Sequence, residues 1–512
     1  MDAANRVAKN TGILYIKMGI SVFASLYATR LLLIALGASD YGLFELIGGT
    51  ITMFTFLNGA MAGASQRFIS YAMGGGKSIT VKSIFSVSTV LHLIIAILIV
   101  IILEIVGIFI FDSLLNIDED RVKVAEIIYH FLVLSTFITV IEVPLTAVII
   151  AHENLLFDSI IQIIRTFGRL LIAFIILNYR NDRLLLYGIL MAALTIFLFL
   201  IKLFYCQKKY QEVHFDTRRY FDKLIFKDMS SFAGWSLLGS ASTMFSSYGQ
   251  GIVLNMFFGT KTNAAHGITQ QISGQLGSLA WAFTKAISPS IDKSEGAGNR
   301  GLMHKIAFIG SKIPFYINLL LFVPMIIEAP YILGVWLDEV PEYTVIFCRI
   351  FLLINLYDTI FLTLSSAIRA VGNIKSYQIF ISILSILPLI VTYILFKYNF
   401  PPQTLFYLFL IYSLLRSVLV MYFSGKNCNI SIRQFIIKSM LPSMLIFVLT
   451  FLVTLTPVFL IQEGLVRLII VLIINFFVVL VLVLSFGVTY DEKQVLYNSV
   501  RYFYRFMIKR IR

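Results

Sequence analysis

Apolar runs of 20 or more residues recur from one end of the chain to the other, separated by short polar segments. Each run is long enough to cross roughly 30 Å of hydrocarbon as a helix. The pattern predicts fourteen membrane-spanning helices, at 12–36, 43–72, 84–111, 124–151, 156–178, 184–206, 230–258, 264–289, 304–333, 343–369, 375–397, 403–423, 435–460 and 466–488. The first run follows the short basic stretch "MDAANRVAKN" and is too long for the apolar core of a signal peptide, so it reads as a membrane helix. The expected fold class is all-α, a polytopic membrane protein.

Composition sharpens this reading. Apolar residues fill 59% of the 512 positions and charged residues 13%, about half of what a soluble surface carries. The stretch "YAMGGGKSIT" (71–80) ends like a phosphate-binding loop, but Tyr71 stands where the first glycine of such a loop is needed, and apolar runs flank it on both sides. It reads as a tight turn. Cys206, Cys348 and Cys428 are far apart and form no C-x-x-C pair. His152-Glu153 comes nearest to an H-E-x-x-H helix, but the second histidine would fall at Leu156. No cofactor and no metal is expected.

The basic residues are distributed asymmetrically. One set of loops holds Arg6, Lys9, Lys77, Lys82, Lys208, Lys209, Arg218, Arg219, Lys293, Arg300, Lys426 and Arg433, and the tail adds Arg501, Arg505, Lys509, Arg510 and Arg512. The opposite set is poor in base and partly acidic, as in "DSLLNIDED" (112–120) and "WLDEVPE" (336–342). The positive-inside rule then puts both termini in the cytoplasm and accounts for the net charge of +14 without nucleic acid.

The longest break between spans, "CQKKYQEVHFDTRRYFDKLIFKDMS" (206–230), is basic and amphipathic, suited to the anionic inner leaflet. It divides the chain into a bundle of six helices at 1–206, a cytoplasmic linker at 207–229, a second six-helix bundle at 230–424, two additional helices at 425–488 and a basic amphipathic tail at 489–512. The halves echo one another. "PLTAVIIAHEN" (144–154) and "TLSSAIRAVGN" (363–373) share Leu, Ala and Asn at an offset of 219, and Gly37 and Gly74 match Gly259 and Gly296 at an offset of 222. Both halves begin on the same side, so the repeat relates them by an axis along the membrane normal.

Two equivalent bundles, the N-terminal "LGASDYGLFELI", a Gly-rich second loop and "SAIRAVGNIKSY" (366–377) together resemble, over nearly the whole chain, the polysaccharide-transporter branch of the multidrug/oligosaccharidyl-lipid/polysaccharide exporter superfamily. That resemblance implies a flippase of the bacterial plasma (inner) membrane that moves undecaprenyl-pyrophosphate-linked oligosaccharide, such as O-antigen or capsule repeat units, from the inner to the outer leaflet by alternating access. It implies no enzyme activity. Lipid-linked oligosaccharide and membrane lipids are the expected partners, with a polysaccharide polymerase or other synthesis proteins beside them.

A pyrophosphate cargo asks for cations, and cations within spans are costly unless functional or paired. Lys17, Arg30, Arg67 and Lys285 lie within spans, Arg67 and Lys285 at similar depths in the two halves, where they would suit capture of a pyrophosphate. Arg67 could equally snorkel to the interface. Folding about the turn at 37–42 sets Arg30 opposite Glu45, a structural pair or a gate. Ser236, Ser240, Thr243, Ser247 and Gln250 form one polar helix face, and Gln271, Gln275 and Ser278 another, which suits sugar hydroxyls or helix packing. Glu142 and Asp358 are candidates for proton or sodium coupling, or for pairing with Arg165, Arg169 or Arg349.

Two rivals remain. A cation-coupled multidrug exporter of the same superfamily would need an acidic, aromatic cavity, whereas helices one, two and eight hold more bases than acids. A membrane enzyme of polysaccharide processing would need a sizeable extramembrane loop or a catalytic His/Asp constellation.

Overall fold

Backbone groups in hydrocarbon have no water to bond to, and this chain satisfies them with helices. The computed structural model describes residues 3–52, 55–75, 78–109, 121–213, 217–337, 340–489 and 493. Every regular element among them is helical. Ten helices are long and apolar enough to cross a membrane, or eleven if the bent pair Thr344–Thr359 and Leu362–Val371 is one span. The expected segments 43–72, 230–258 and 264–289 are helical where described but are not among those ten, because serine, threonine, glutamine and glycine dilute their apolar character.

Residues 12–240 form one compact unit and the rest of the described chain another. The first unit contains most of α1 (Ala3–Thr52), then α2 (Thr55–Gly74), α3 (Ser78–Phe109), α4 (Val122–Ile141), α5 (Val143–Ala151), α6 (Leu155–Leu177), α7 (Arg183–Lys209), the short α8 (Thr217–Tyr220) and the start of α9 (Lys223–Gly296). Helices α2 and α3 meet at the former phosphate-loop candidate with no strand before it, which removes the nucleotide reading; Gly76 and Lys77 lie outside the described residues. The acidic segment 112–120 and the tail from 494 also lie outside them.

Gly37 interrupts α1 with φ 78° and ψ 168°, a conformation only glycine adopts freely. The corner is held by two arginines. Arg121 donates to Asp40 at 2.6 Å and to Asp182 at 2.8 Å, while Arg183 donates to the Ala35 carbonyl at 2.9 Å. At the opposite end of the unit, His152 meets Glu212 at 2.5 Å and stacks on Tyr210, and Asn154 donates to the hydroxyls of Tyr205 and Tyr210. Burial pushes the Glu212 carboxyl up, but the His152 hydrogen bond and the nearby Lys82 more than offset it and hold it below the usual range. Because α7 and α9 extend beyond their apolar cores, only residues 210–222 separate them.

The second unit continues through α9, α10 (Arg300–Ile327), α11 (Ala329–Trp336), α12 (Thr344–Thr359), α13 (Leu362–Val371), α14 (Lys375–Lys397), α15 (Thr404–Cys428), α16 (Ile432–Phe435), α17 (Leu441–Leu460) and α18 (Leu465–Leu482). Here the backbone repeats the sequence echo. Gly259 breaks α9 with φ 74° and ψ −170°, as Gly37 breaks α1. Glu153 and Gly372, aligned in the echo though not identical, both adopt positive φ just after a half-helix. Gly74 and Gly296 both end their helices.

The last two membrane helices are fastened to α10. Pro324 has no N–H to offer the Leu320 carbonyl, and Asn475 of α18 donates to that oxygen at 3.1 Å and to Leu319 at 3.3 Å. Pro330 likewise leaves the Ile326 carbonyl open, and Arg349 donates to it at 2.9 Å. Glu328, fully buried where α10 gives way to α11, accepts two bonds from Arg467 at 2.9 and 2.8 Å. Tyr316 donates to the Gly487 carbonyl.

Two outcomes follow for purified protein in detergent. Arg467→Ala strands a buried carboxylate and is expected to cost about 3–5 kcal/mol, with Glu328→Met/Arg467→Leu recovering most of it in thermal unfolding. A Cβ at Gly259 meets nothing within 4 Å, so Gly259→Ala should cost the backbone strain alone, about 1–3 kcal/mol for a φ/ψ region that is essentially glycine-only.

Candidate functional site

Two buried or half-buried acids stand at helix breaks. Pro144 interrupts the backbone ladder between α4 and α5, and Glu142 stands at that break, 7% exposed. Lys202 of α7, 1% exposed, donates to the Glu142 carboxylate and to the Thr146 hydroxyl at 3.2 Å. Arg165 of α6 approaches the other carboxylate oxygen at 3.9 Å. The acid, the hinge and two neighbouring helices are thus tied at one point.

The second unit builds the same device differently. Between α12 and α13 the chain bends by 44°, with the i→i+3 bonds Ile360 to Tyr357 and Phe361 to Asp358 taking the place of a proline. Asp358 accepts from Ser413 at 2.6 Å and from Arg416 at 2.9 Å, both on α15. The sequence offered Arg349 as a partner for this acid; the structure puts the Arg349 guanidinium on the carbonyls of Ile326 and Ile327 instead.

Both acids are therefore neutralised by a base on the helix that closes the bundle. A lone charge in hydrocarbon is costly, whereas a bonded pair carries no net charge and fixes the hinge against its neighbour. Separating the clasp would expose two charges at once to a medium that solvates neither. Lys202, Arg416, Glu328 and Arg467 were not singled out from the sequence. Their signal was present as single charges inside apolar runs, in "FLFLIKLFY", "LIYSLLRSVLV", "MIIEAPYIL" and "LVRLII".

The remaining predicted site residues have varied surroundings. The Arg67 guanidinium is 4.7, 5.0 and 5.3 Å from the ring centres of Phe68, Tyr71 and Phe232, a half-buried cation against three aromatic rings. Lys17 and Lys285 are half-buried, and each has an interaction partner. Arg30 is exposed, and the Glu45 side chain expected opposite it lies outside the described residues. Gln271 and Gln275 are exposed.

The polar face of the first half of α9 is not uniform. Thr243 and Ser247 are exposed, whereas Gln250 is buried and bonded at 3.3 Å to His266 on the other side of the Gly259 break, which in turn meets Gln270 at 3.2 Å. Gln250 thus bridges the kink. Among the described residues no group of His, Cys, Asp and Glu could hold a metal ion.

No protein-family model matches the chain, and no curated protein matches it in sequence. Solved structures do share its fold. A MATE in a bent conformation superposes with a TM-score of 0.73 at 13% identity, covering 84% of this chain and 96% of its own. A multidrug resistance MATE family transporter of the MOP superfamily, outward-facing, gives 0.70 at 14% identity, covering 84% and 98%. A MOP superfamily transporter from Pyrococcus furiosus, described as having a binding pocket of reverse polarity that suggests a different function, gives 0.68 at 14%, covering 84% and 98%. The chain has a MATE-like fold.

Lys202→Met leaves the buried Glu142 with only the more distant Arg165 and is expected to cost about 3 kcal/mol, while Arg416→Leu costs less because Asp358 is one-fifth exposed. Glu142→Leu/Lys202→Met restores the unfolding midpoint. If the clasp is a moving part, that double variant regains stability and not activity.

Proposed function

We propose that the protein is a flippase of the bacterial plasma membrane, in the polysaccharide-transporter branch of its superfamily. It carries undecaprenyl-pyrophosphate-linked oligosaccharide from the inner to the outer leaflet by alternating access through a polar, cationic cavity. It spans the membrane fourteen times as two six-helix bundles plus two helices, with both termini in the cytoplasm. Lys17, Arg30, Arg67 and Lys285 supply positive charge to the pyrophosphate, and Gln250, Gln271 and Gln275 supply hydrogen bonds to sugars or to the helices that line their path.

The observation that carries this reading is the state of the acids. Glu142 and Asp358, one at each helix break, are each bonded to a base, so neither offers an uncompensated carboxylate to a cationic drug. The MATE-like fold supports transport, and the P. furiosus neighbour is described as having a pocket of reverse polarity on that fold. Outward movement of two net negative charges gains roughly 4–5 kcal/mol per 100 mV from an inside-negative potential. Glu45, Glu142 and Asp358 then act as gates, and proton or sodium coupling is not required. The multidrug alternative rests on the multidrug resistance MATE among the structural neighbours.

Leaflet-resolved accumulation of lipid-linked oligosaccharide in cells depleted of the protein separates the two. Glycolipid should collect on the cytoplasmic side, and Arg67→Ala and Lys285→Ala at matched expression should fail to relieve it. Normal arrival at the outer leaflet, together with raised drug accumulation, would establish the exporter instead.

A further inference from the structure

A groove with a volume of about 560 Å³ opens on the first unit between the start of α6 and the last turns of α7. Its size is that of a small-molecule site. Phe197, Leu200, Phe204 and Lys208 line it from α7 at spacings of three, four and four, a single helical stripe. The three apolar side chains are 55%, 53% and 68% exposed, so they face whatever surrounds the unit. Phe157 of α6 closes the other wall, stacked on Tyr205 at 3.6 Å between ring centres.

The groove is apolar along its length and basic at one end. From Phe197 to Lys208 the helix rises about 16 Å, roughly half of the ~30 Å hydrocarbon core and so one leaflet. Lys208 and Lys209 stand at the end that the basic loops assign to the cytoplasm. The Lys209 ammonium is held there, donating to the Tyr205 hydroxyl at 2.7 Å and lying 5.0 Å from the Tyr205 ring centre. No side chain of the lining outside the two lysines and Tyr205 can bond to a polar ligand.

We infer that this groove binds one anionic glycerophospholipid of the inner leaflet, an acyl chain along the phenylalanines and its phosphate against Lys208 and Lys209. A peptide would leave its backbone groups unpaired on the apolar wall. Inorganic phosphate would use only the basic end. A zwitterionic lipid carries no net charge for the two ammonium groups to match. The site is independent of the cargo carried by the protein, and its test reads lipid retention rather than transport.

The experiment is native mass spectrometry of the full-length protein released from detergent after titration with phosphatidylglycerol or phosphatidylcholine. Wild type should hold phosphatidylglycerol several-fold more strongly, and Lys208→Gln/Lys209→Gln should lose roughly tenfold of that retention. Leu200→Trp, at an exposed position, should fill the groove and displace the lipid with the charges intact; Phe204→Ser serves the same purpose by removing a wall.

A matched control removes two lysines elsewhere, Lys426 beside Tyr422 on α15 and Lys438. Lys426→Gln/Lys438→Gln should retain phosphatidylglycerol as wild type does. Equal retention of both lipids by wild type, unchanged retention in the groove variants, an equal loss in the control, or displacement by inorganic phosphate would each overturn the assignment.

Discussion

Water is absent from the interior of a bilayer, and every polar group that enters it must find its partner in the protein. This one constraint explains where the charges and the irregular backbone of the chain lie. Glu142 meets Lys202, Asp358 meets Arg416, and Glu328 meets Arg467. Each acid stands at or beside the point where one helix gives way to the next. Carbonyls released by Pro324 and Pro330 are taken by Asn475 and Arg349. Helix breaks in this chain stand where side chains, often from another helix, bring donors to them.

The same constraint shapes the repeat. Both halves break an early helix at a glycine of positive φ, and both end a later half-helix on a left-handed residue. The chemistry differs between the copies. Pro144 produces one hinge and a turn of i→i+3 bonds the other; the left-handed position is glycine in the second copy and Glu153 in the first. The geometry is held in common while the residues that produce it vary, and this is why the echo in the sequence is faint.

For function, the charge balance of the site matters more than the fold. The MATE-like fold accommodates pockets of differing polarity, as the P. furiosus neighbour is described to have. In this chain the acids at the hinges are consumed in pairs, and Arg67 is set against three aromatic rings. That pairing of the hinge acids is what supports the proposed flippase reading.

The all-helical character and most of the long apolar spans were legible because hydrophobicity is a local property, written as runs of apolar residues, whereas the breaks inside the runs at 124–151, 304–333 and 343–369 were not. Gly37 and Gly259 were legible as a matched pair, since a repeat is visible in one dimension. The polar character of Gln250 was legible as well, but not its role of bridging the Gly259 kink to His266. Partner choice was legible only in part: Arg165 does approach Glu142, but Lys202 is the closer partner. Arg349 and Arg416 are both arginines within reach of the same stretch, and only packing determines that α15 turns Arg416 to Asp358 while Arg349 caps broken carbonyls. Sequence fixes which charges the membrane must pay to bury; tertiary structure decides which of them neutralise each other, because an ion pair depends on distance in space and the chain records only distance along itself.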